Sequence, residues 1–218
     1  MTDRPIPFSP DMMRAVLREI AAPGTGKTQT RRVLKPQPEP GGEARLWTPP
    51  NPSMLCVQID KRHIHGSTVA ITVPAPSDRL WVREAWRTTT FYDDQPPRDM
   101  GSETPIRYEC DGAWETWGWK RDHNEGRYRP PMFMPRWASR VTLTVTDVKV
   151  QRVQDISEAD AWAEGVHRQP FDTGTEMFRT LWDSLNDKRG FGWDVNPWVV
   201  AVTFRPVAGN IDQIGEAA

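Results

Sequence analysis

The chain has 218 residues, 37% of them hydrophobic and 26% charged, with a formal net charge of −1. That length suits one hydrophobic core with an elaborate insertion, and the charge excludes a global electrostatic pull toward nucleic acid. Cys56 and Cys110 are too few for a disulfide framework or a metal set, and no apolar run suits a signal peptide or a membrane span, so a cytoplasmic location is expected.

Ser9-Pro10-Asp11 reads as a helix start, with Ser9 as N-cap and Pro10 at the first helical position. Met13, Val16, Leu17 and Ile20 then recur at helical spacing. Next comes Gly24-Thr25-Gly26-Lys27-Thr28-Gln29-Thr30-Arg31-Arg32, which ends like a phosphate-binding P-loop. A P-loop needs a glycine where Ala21 stands, a strand before it and a helix after it. Here a helix precedes, and Lys35-Pro36 follows too soon for a second one. The P-loop reading is therefore rejected.

Residues 35–53 are rich in Pro and Gly and read as loop. Short strands are expected over 54–59 and 68–73, with His63 and His65 between them. A His-x-His pair can begin a zinc site, but no third ligand lies near, so two exposed turn histidines and no metal are expected. Residues 78–86 read as one strand, with Val82, Glu84 and Trp86 on one face and Trp81, Arg83 and Ala85 on the other. Either the charges are solvated, or Arg83 or Glu84 lines a pocket.

Residues 88–131 are poor in aliphatics and read as an insertion or lid rather than core. Trp114, Trp117 and Trp119 would pin it to the body or cover a substrate. Among the eleven tryptophans the core reading is preferred over stacking on a flat ligand. Val141, Leu143 and Val145 alternate, whereas Val148 and Val150 continue out of phase, implying a bulge or tight turn at 146–147. A short helix starts after Ser157, with Asp160 at the capping-box position and Gly165 as its stop. A further helix carries Phe178, Leu181, Trp182 and Leu185 on one face, and residues 197–204 are the expected central strand. Residues 210–218 are expected to fray. Many short strands alternating irregularly with helices predict an α+β fold, a small β-barrel with peripheral helices. The chain reads as a single domain over 1–218 with its insertion at about 88–131.

In order and combination, the segments 26–32, 78–86, 134–140, 156–166 and 181–184, with the strand ending at Phe204, resemble the ASCH domains of the PUA-like superfamily, above all the longer phage and prophage forms. The resemblance implies a pseudo-barrel with a cleft that handles a nucleobase or nucleotide. One bacterial branch is an amidohydrolase that removes the acyl group from N4-acetylcytidine without metal or cofactor. By motif, that branch's lysine falls on Lys27, its threonine on Thr30 and its glutamate on Glu164. Gly26 stands where a basic residue is usual, Arg31 replaces an apolar one, and the chain is about twice as long.

The chemistry implied is a Thr30 nucleophile, a Lys27 base freed of its proton by burial and by Arg31 and Arg32, and Glu164 as acid to the leaving nitrogen. Lys27 and Thr30 are three residues apart, so Lys27 must fold back through the glycine-flanked turn. The candidate substrate contacts are Arg31, Arg32, Arg83, Glu84, Trp86, Arg136 and Trp137. Competing readings are a non-catalytic RNA or modified-base module, with Arg31, Arg32, Arg83, Arg136 and Arg140 on phosphate, and a ribonuclease of the same fold.

Overall fold

A computed structural model describes residues 2–50, 54–60, 68–115, 124–167 and 171–215. In chain order its elements are β1 (Asp3–Pro7), α1 (Pro10–Ala21), β2 (Gln29–Val33), β3 (Ala44–Trp47), β4 (Leu55–Asp60), β5 (Thr68–Val73), β6 (Arg79–Arg83), β7 (Trp86–Arg87), β8 (Ile106–Tyr108), β9 (Trp114–Glu115), β10 (Val141–Arg152), α2 (Glu158–Ala163), α3 (Gly174–Asn186) and β11 (Trp198–Ala208). The class is α+β, weighted toward strands. Two compact units make up the chain. One holds Met1–Thr2, Gly24–Asp78 and Thr144–Arg205; the other holds Asp3–Pro23, Arg79–Leu143 and Pro206–Ala218. Among the described residues no helix is long and apolar enough to cross a membrane.

In the first unit, β2 pairs antiparallel with β11, placing Thr30 opposite Val202 and Arg32 opposite Val200. On its other side β11 neighbours β10. Flanked on both sides, β11 buries Val199, Val200, Ala201, Val202 and Phe204, as its apolar run predicts. β2 ends its sheet, so the expected small barrel does not close among the described residues. β10 remains a strand through 146–147, where both residues are exposed before burial resumes at Val148. The phase change thus occurs without a turn.

β3, β4 and β5 form an antiparallel meander. Ser157 caps α2 by accepting from the Asp160 N–H, and Thr173 and Glu176 form a reciprocal capping box at α3. Phe178 and Trp182 on α3 pack with Val153, Ile156, Ala161, Trp193 and Val199. Leu185, expected on the same face, stands exposed in the last turn.

In the second unit, β1 runs parallel to β6, Ile6 opposite Val82. β1 is an edge strand, which tolerates Pro5 and Pro7. The single strand expected over 78–86 breaks. β6 stops at Arg83, and Trp86–Arg87 forms β7, which pairs with β8 in a separate sheet with β9. Face alternation therefore does not carry across Glu84 and Ala85. The segment expected to be an insertion or lid rather than core is partly core, because Met100, Ile106 and Tyr108 pack with Trp86, Met134 and Ala138.

Residues 210–215, expected to fray, are tied down. The Asn210 side-chain amide donates to the carbonyls of Arg136, Trp137 and Ser139 at 2.8, 3.1 and 2.8 Å. Ile211 is buried, and Asp212 takes Arg136 in an ion pair. His63, His65, Trp117 and Trp119 lie outside the described residues.

Burial in these helices sets a stability contrast. Trp182→Ala should cost about 3–5 kcal/mol in urea unfolding, while Leu185→Ala should stay within about 0.5 kcal/mol. Equal losses would contradict the packing of α3.

Candidate functional site

The first unit brings two distant segments together at the entry to β2. Gly24 takes a left-handed φ of +85°, the turn that leads the chain toward Lys27. Two backbone bonds then clamp the segment: the Thr28 N–H donates to the Ala163 carbonyl at 2.9 Å, and the Phe204 N–H donates to the Thr28 carbonyl at 2.8 Å. On the other side α2 ends at Ala163, Glu164 is its C-cap, and Gly165 turns the chain away at φ +82°. Helix end and strand start thus face each other.

Lys27 fills the junction. Its Nζ donates to Glu164 Oε2 and to the Glu164 carbonyl, each at 2.7 Å, across 137 residues of sequence. Lys27 is 1% exposed and Glu164 3%. Burial lowers the proton affinity of the Lys27 amine, Glu164 pulls it back up, and the charges of Arg32 and Arg31 lower it again; the net direction is down.

The second oxygen of Glu164 is also taken. Arg31 Nη1 donates to Glu164 Oε1 at 2.9 Å, and Nη2 reaches Asp160 Oδ2 at 3.3 Å. Gln29 completes the ring: its Oε1 accepts from Arg31, and its Nε2 donates to Asp160 Oδ1 at 3.2 Å and to Thr203 Oγ1 at 2.9 Å. Arg31 also lies 5.7 Å from the centroid of the Phe178 ring. Two cations and two carboxylates therefore balance in a largely closed pocket, with Asp160 and Glu164 one helical turn apart. Asp160 was expected to serve as a capping residue; its carboxylate goes to Gln29 and Arg31 instead.

Thr30 is buried at 4% exposure. In β2 it alternates to the face opposite Gln29 and Arg31, the face it shares with exposed Arg32. Lys27 precedes the strand and is not bound by that alternation. The Arg32 charge is felt by both Lys27 and Glu164.

The other expected contacts lie in the second unit. Arg83 donates to the Met132 carbonyl at 3.1 Å and stacks 4.4 Å from the Trp81 centroid. Glu84 is buried and held by Arg140 at 2.8 and 2.9 Å, with the Cys110 thiol donating to it at 3.2 Å. Trp86 is fully buried core under Arg129. Arg136 is paired with Asp3 and Asp212. The Trp137 indole N–H donates to the Met100 carbonyl at 3.1 Å. Sequence reasoning passed over Asp160 and Gln29 as site neighbours. The first had a readable signal, an acidic residue four before Glu164 on one helix face.

No family model, curated protein or solved structure matches the chain.

Two measurements test the buried pair. Lys27→Met should cost about 3–5 kcal/mol because it strands the Glu164 charge, and adding Glu164→Gln should recover part of that loss rather than double it. The pH dependence has a definite sign. Because the folded Lys27 value lies below 10.5, the unfolded chain binds more protons between the two values. This group's contribution to stability therefore rises with pH across that window. Subtracting the Lys27→Met stability curve from that of wild type should reveal the rise; a flat difference would contradict it.

Proposed function

We propose that the chain is a metal-independent amidohydrolase that removes the acyl group from N4-acylated cytosine or cytidine, and that it belongs with the ASCH branch of the PUA-like proteins. The observation that carries this reading is the Lys27–Glu164 contact, which joins the two acid–base residues implied by the motif. A surface lysine stays protonated near neutrality, so a lysine base must be buried or crowded by other cations. Lys27 is both.

The 2.7 Å hydrogen bond suggests how both catalytic protonation states arise at once. Transfer of one proton from Lys27 Nζ to Glu164 Oε2 leaves a neutral amine beside a neutral acid. Arg31 on Oε1 resists that transfer and fixes the carboxyl group in place. The Thr30 hydroxyl then attacks the acyl carbonyl carbon as its proton passes to Lys27. Collapse of the tetrahedral intermediate breaks the C–N bond, and Glu164 protonates the departing N4 amine. Lys27 returns the proton it took to Glu164 Oε2 and, neutral again, accepts a proton from the water that attacks the Thr30 ester; Glu164 protonates the departing Thr30 oxygen as the carboxylic acid leaves, which restores the resting ion pair. Cytoplasmic residence belongs to the same reading; both cysteines are free and buried.

RNA binding draws less support. Of the five arginines offered to phosphate, Arg31, Arg136 and Arg140 already hold carboxylates. The ribonuclease reading gains nothing from His63, His65 and His123, which are poor evidence for it in the sequence and lie outside the described residues.

The direct assay follows the ultraviolet change as N4-acetylcytidine becomes cytidine. Lys27→Ala, Thr30→Ala and Glu164→Ala, each checked for folding by circular dichroism, should lower kcat/KM by about 100-fold or more. Absence of wild-type turnover with this substrate and with longer N4-acyl analogues would overturn the proposal.

A further inference from the structure

The second unit contains a half-open cavity of about 430 Å³ that includes none of Lys27, Thr30 and Glu164 in its lining. Its walls include Ser102, Thr104, Glu115, Trp137, Arg140 and Gln213. That volume lies within the range of small-molecule sites. The chemistry of the ligand follows from asking which lining groups are already committed.

Arg140 is the cation of the wall, and its charge is fully answered. It meets Glu84 through two hydrogen bonds and Asp111 through two more, at 2.8–2.9 and 2.9–3.2 Å. It also stacks 3.8 Å from the Tyr108 ring centroid. The carboxylate of Asp212, also in the lining, is likewise answered by Arg136.

Glu115 is different. Among the described residues its only partner is the Tyr108 hydroxyl, which donates to Oε2 at 2.6 Å. A neutral donor fixes the carboxylate, and among the described residues no cation pairs with it. In the same lining, the Ser102 and Thr104 hydroxyls and the Gln213 side-chain amide have no hydrogen-bond partner among the described residues. The Trp137 ring is held by its N–H bond to Met100, so it offers a fixed aromatic surface. The Glu115 carboxylate, an aromatic ring and neutral hydrogen-bonding groups form a recognition set for a cation. An anion would meet only an arginine already paired.

We propose that this cavity is a binding site for a small organic monocation, an alkylguanidinium or alkylammonium compound, held by charge-assisted hydrogen bonds to Glu115 and packed on Trp137. Ser102 and Gln213 take the remaining polar groups of the ligand. The site is independent of the amide chemistry proposed above, and binding alone tests it.

The test uses calorimetric titration of the full chain with ethylguanidine, with its neutral isostere N-ethylurea as the control for shape. Ethylguanidine should bind saturably, and N-ethylurea should bind at least about tenfold more weakly. Glu115→Gln removes one exposed charge and should fold normally. It should bring ethylguanidine down to the level of the urea, and Trp137→Leu should weaken ethylguanidine by about threefold or more. The Trp137 indole N–H resonance should move on titration in wild type. Equal affinity for the urea, unchanged binding in Glu115→Gln, or no saturable binding of ethylguanidine to wild type would each overturn the proposal.

Discussion

A lysine ammonium removed from water must find its charge answered within a few ångströms, or lose its proton. The first unit is arranged around that constraint. Lys27 is buried where α2 ends, and the Glu164 carboxylate and carbonyl both accept from it. The helix end supplies a carbonyl that lacks a partner within the helix, and the cation satisfies it. Arg31, Asp160 and Gln29 extend the pair into a closed ring of hydrogen bonds, so neither oxygen of Glu164 is left unanswered. Charge balance, the clamp at Thr28 and the left-handed turn at Gly165 are local conditions of one contact.

The same arrangement divides neighbouring arginines by burial. Arg31 is buried with its Nη groups on the carboxylates of Asp160 and Glu164. Arg32, one residue later, is exposed on the face shared with Thr30. Strand alternation turns these adjacent identical residues to opposite faces. The Glu84–Arg140 pair in the second unit repeats the theme of a buried carboxylate held by a bidentate guanidinium, with a stacked tyrosine beneath. Burial and the neighbouring Glu84 push the Cys110 thiol up, so this pair keeps the sulfur protonated as a donor.

Much of the local structure was legible. The cap at Ser9, the cap at Ser157, the stop at Gly165 and the apolar run of β11 obey short-range rules that a sequence carries openly. What was not legible depended on distant partners. Alternation predicted one strand through Glu84, but Trp86 belongs to a different sheet whose partners are set by Tyr108 and Arg107. Residues 210–215 were assigned to fraying because their anchors, Arg136, Trp137 and Ser139, lie more than 70 positions earlier. The segment after Thr88 was read as lid because its few aliphatics are scattered; Met100 and Ile106 nevertheless reach one core. At the site, Lys27 and Glu164 come from motif resemblance; the i, i+4 spacing of Asp160 to Glu164 is readable, but its bonds to Gln29 and Arg31 form only where β2 lies beside α2.

The most direct test of the account follows the Lys27 ammonium itself, by nuclear magnetic resonance of side-chain ¹⁵N-labelled lysine across a pH series. A buried, proton-labile Lys27 should titrate below the ordinary lysine value of 10.5, and Glu164→Gln should push it lower still by removing the charge that holds the proton. Titration at or above 10.5 in wild type would contradict a proton-labile centre at this position.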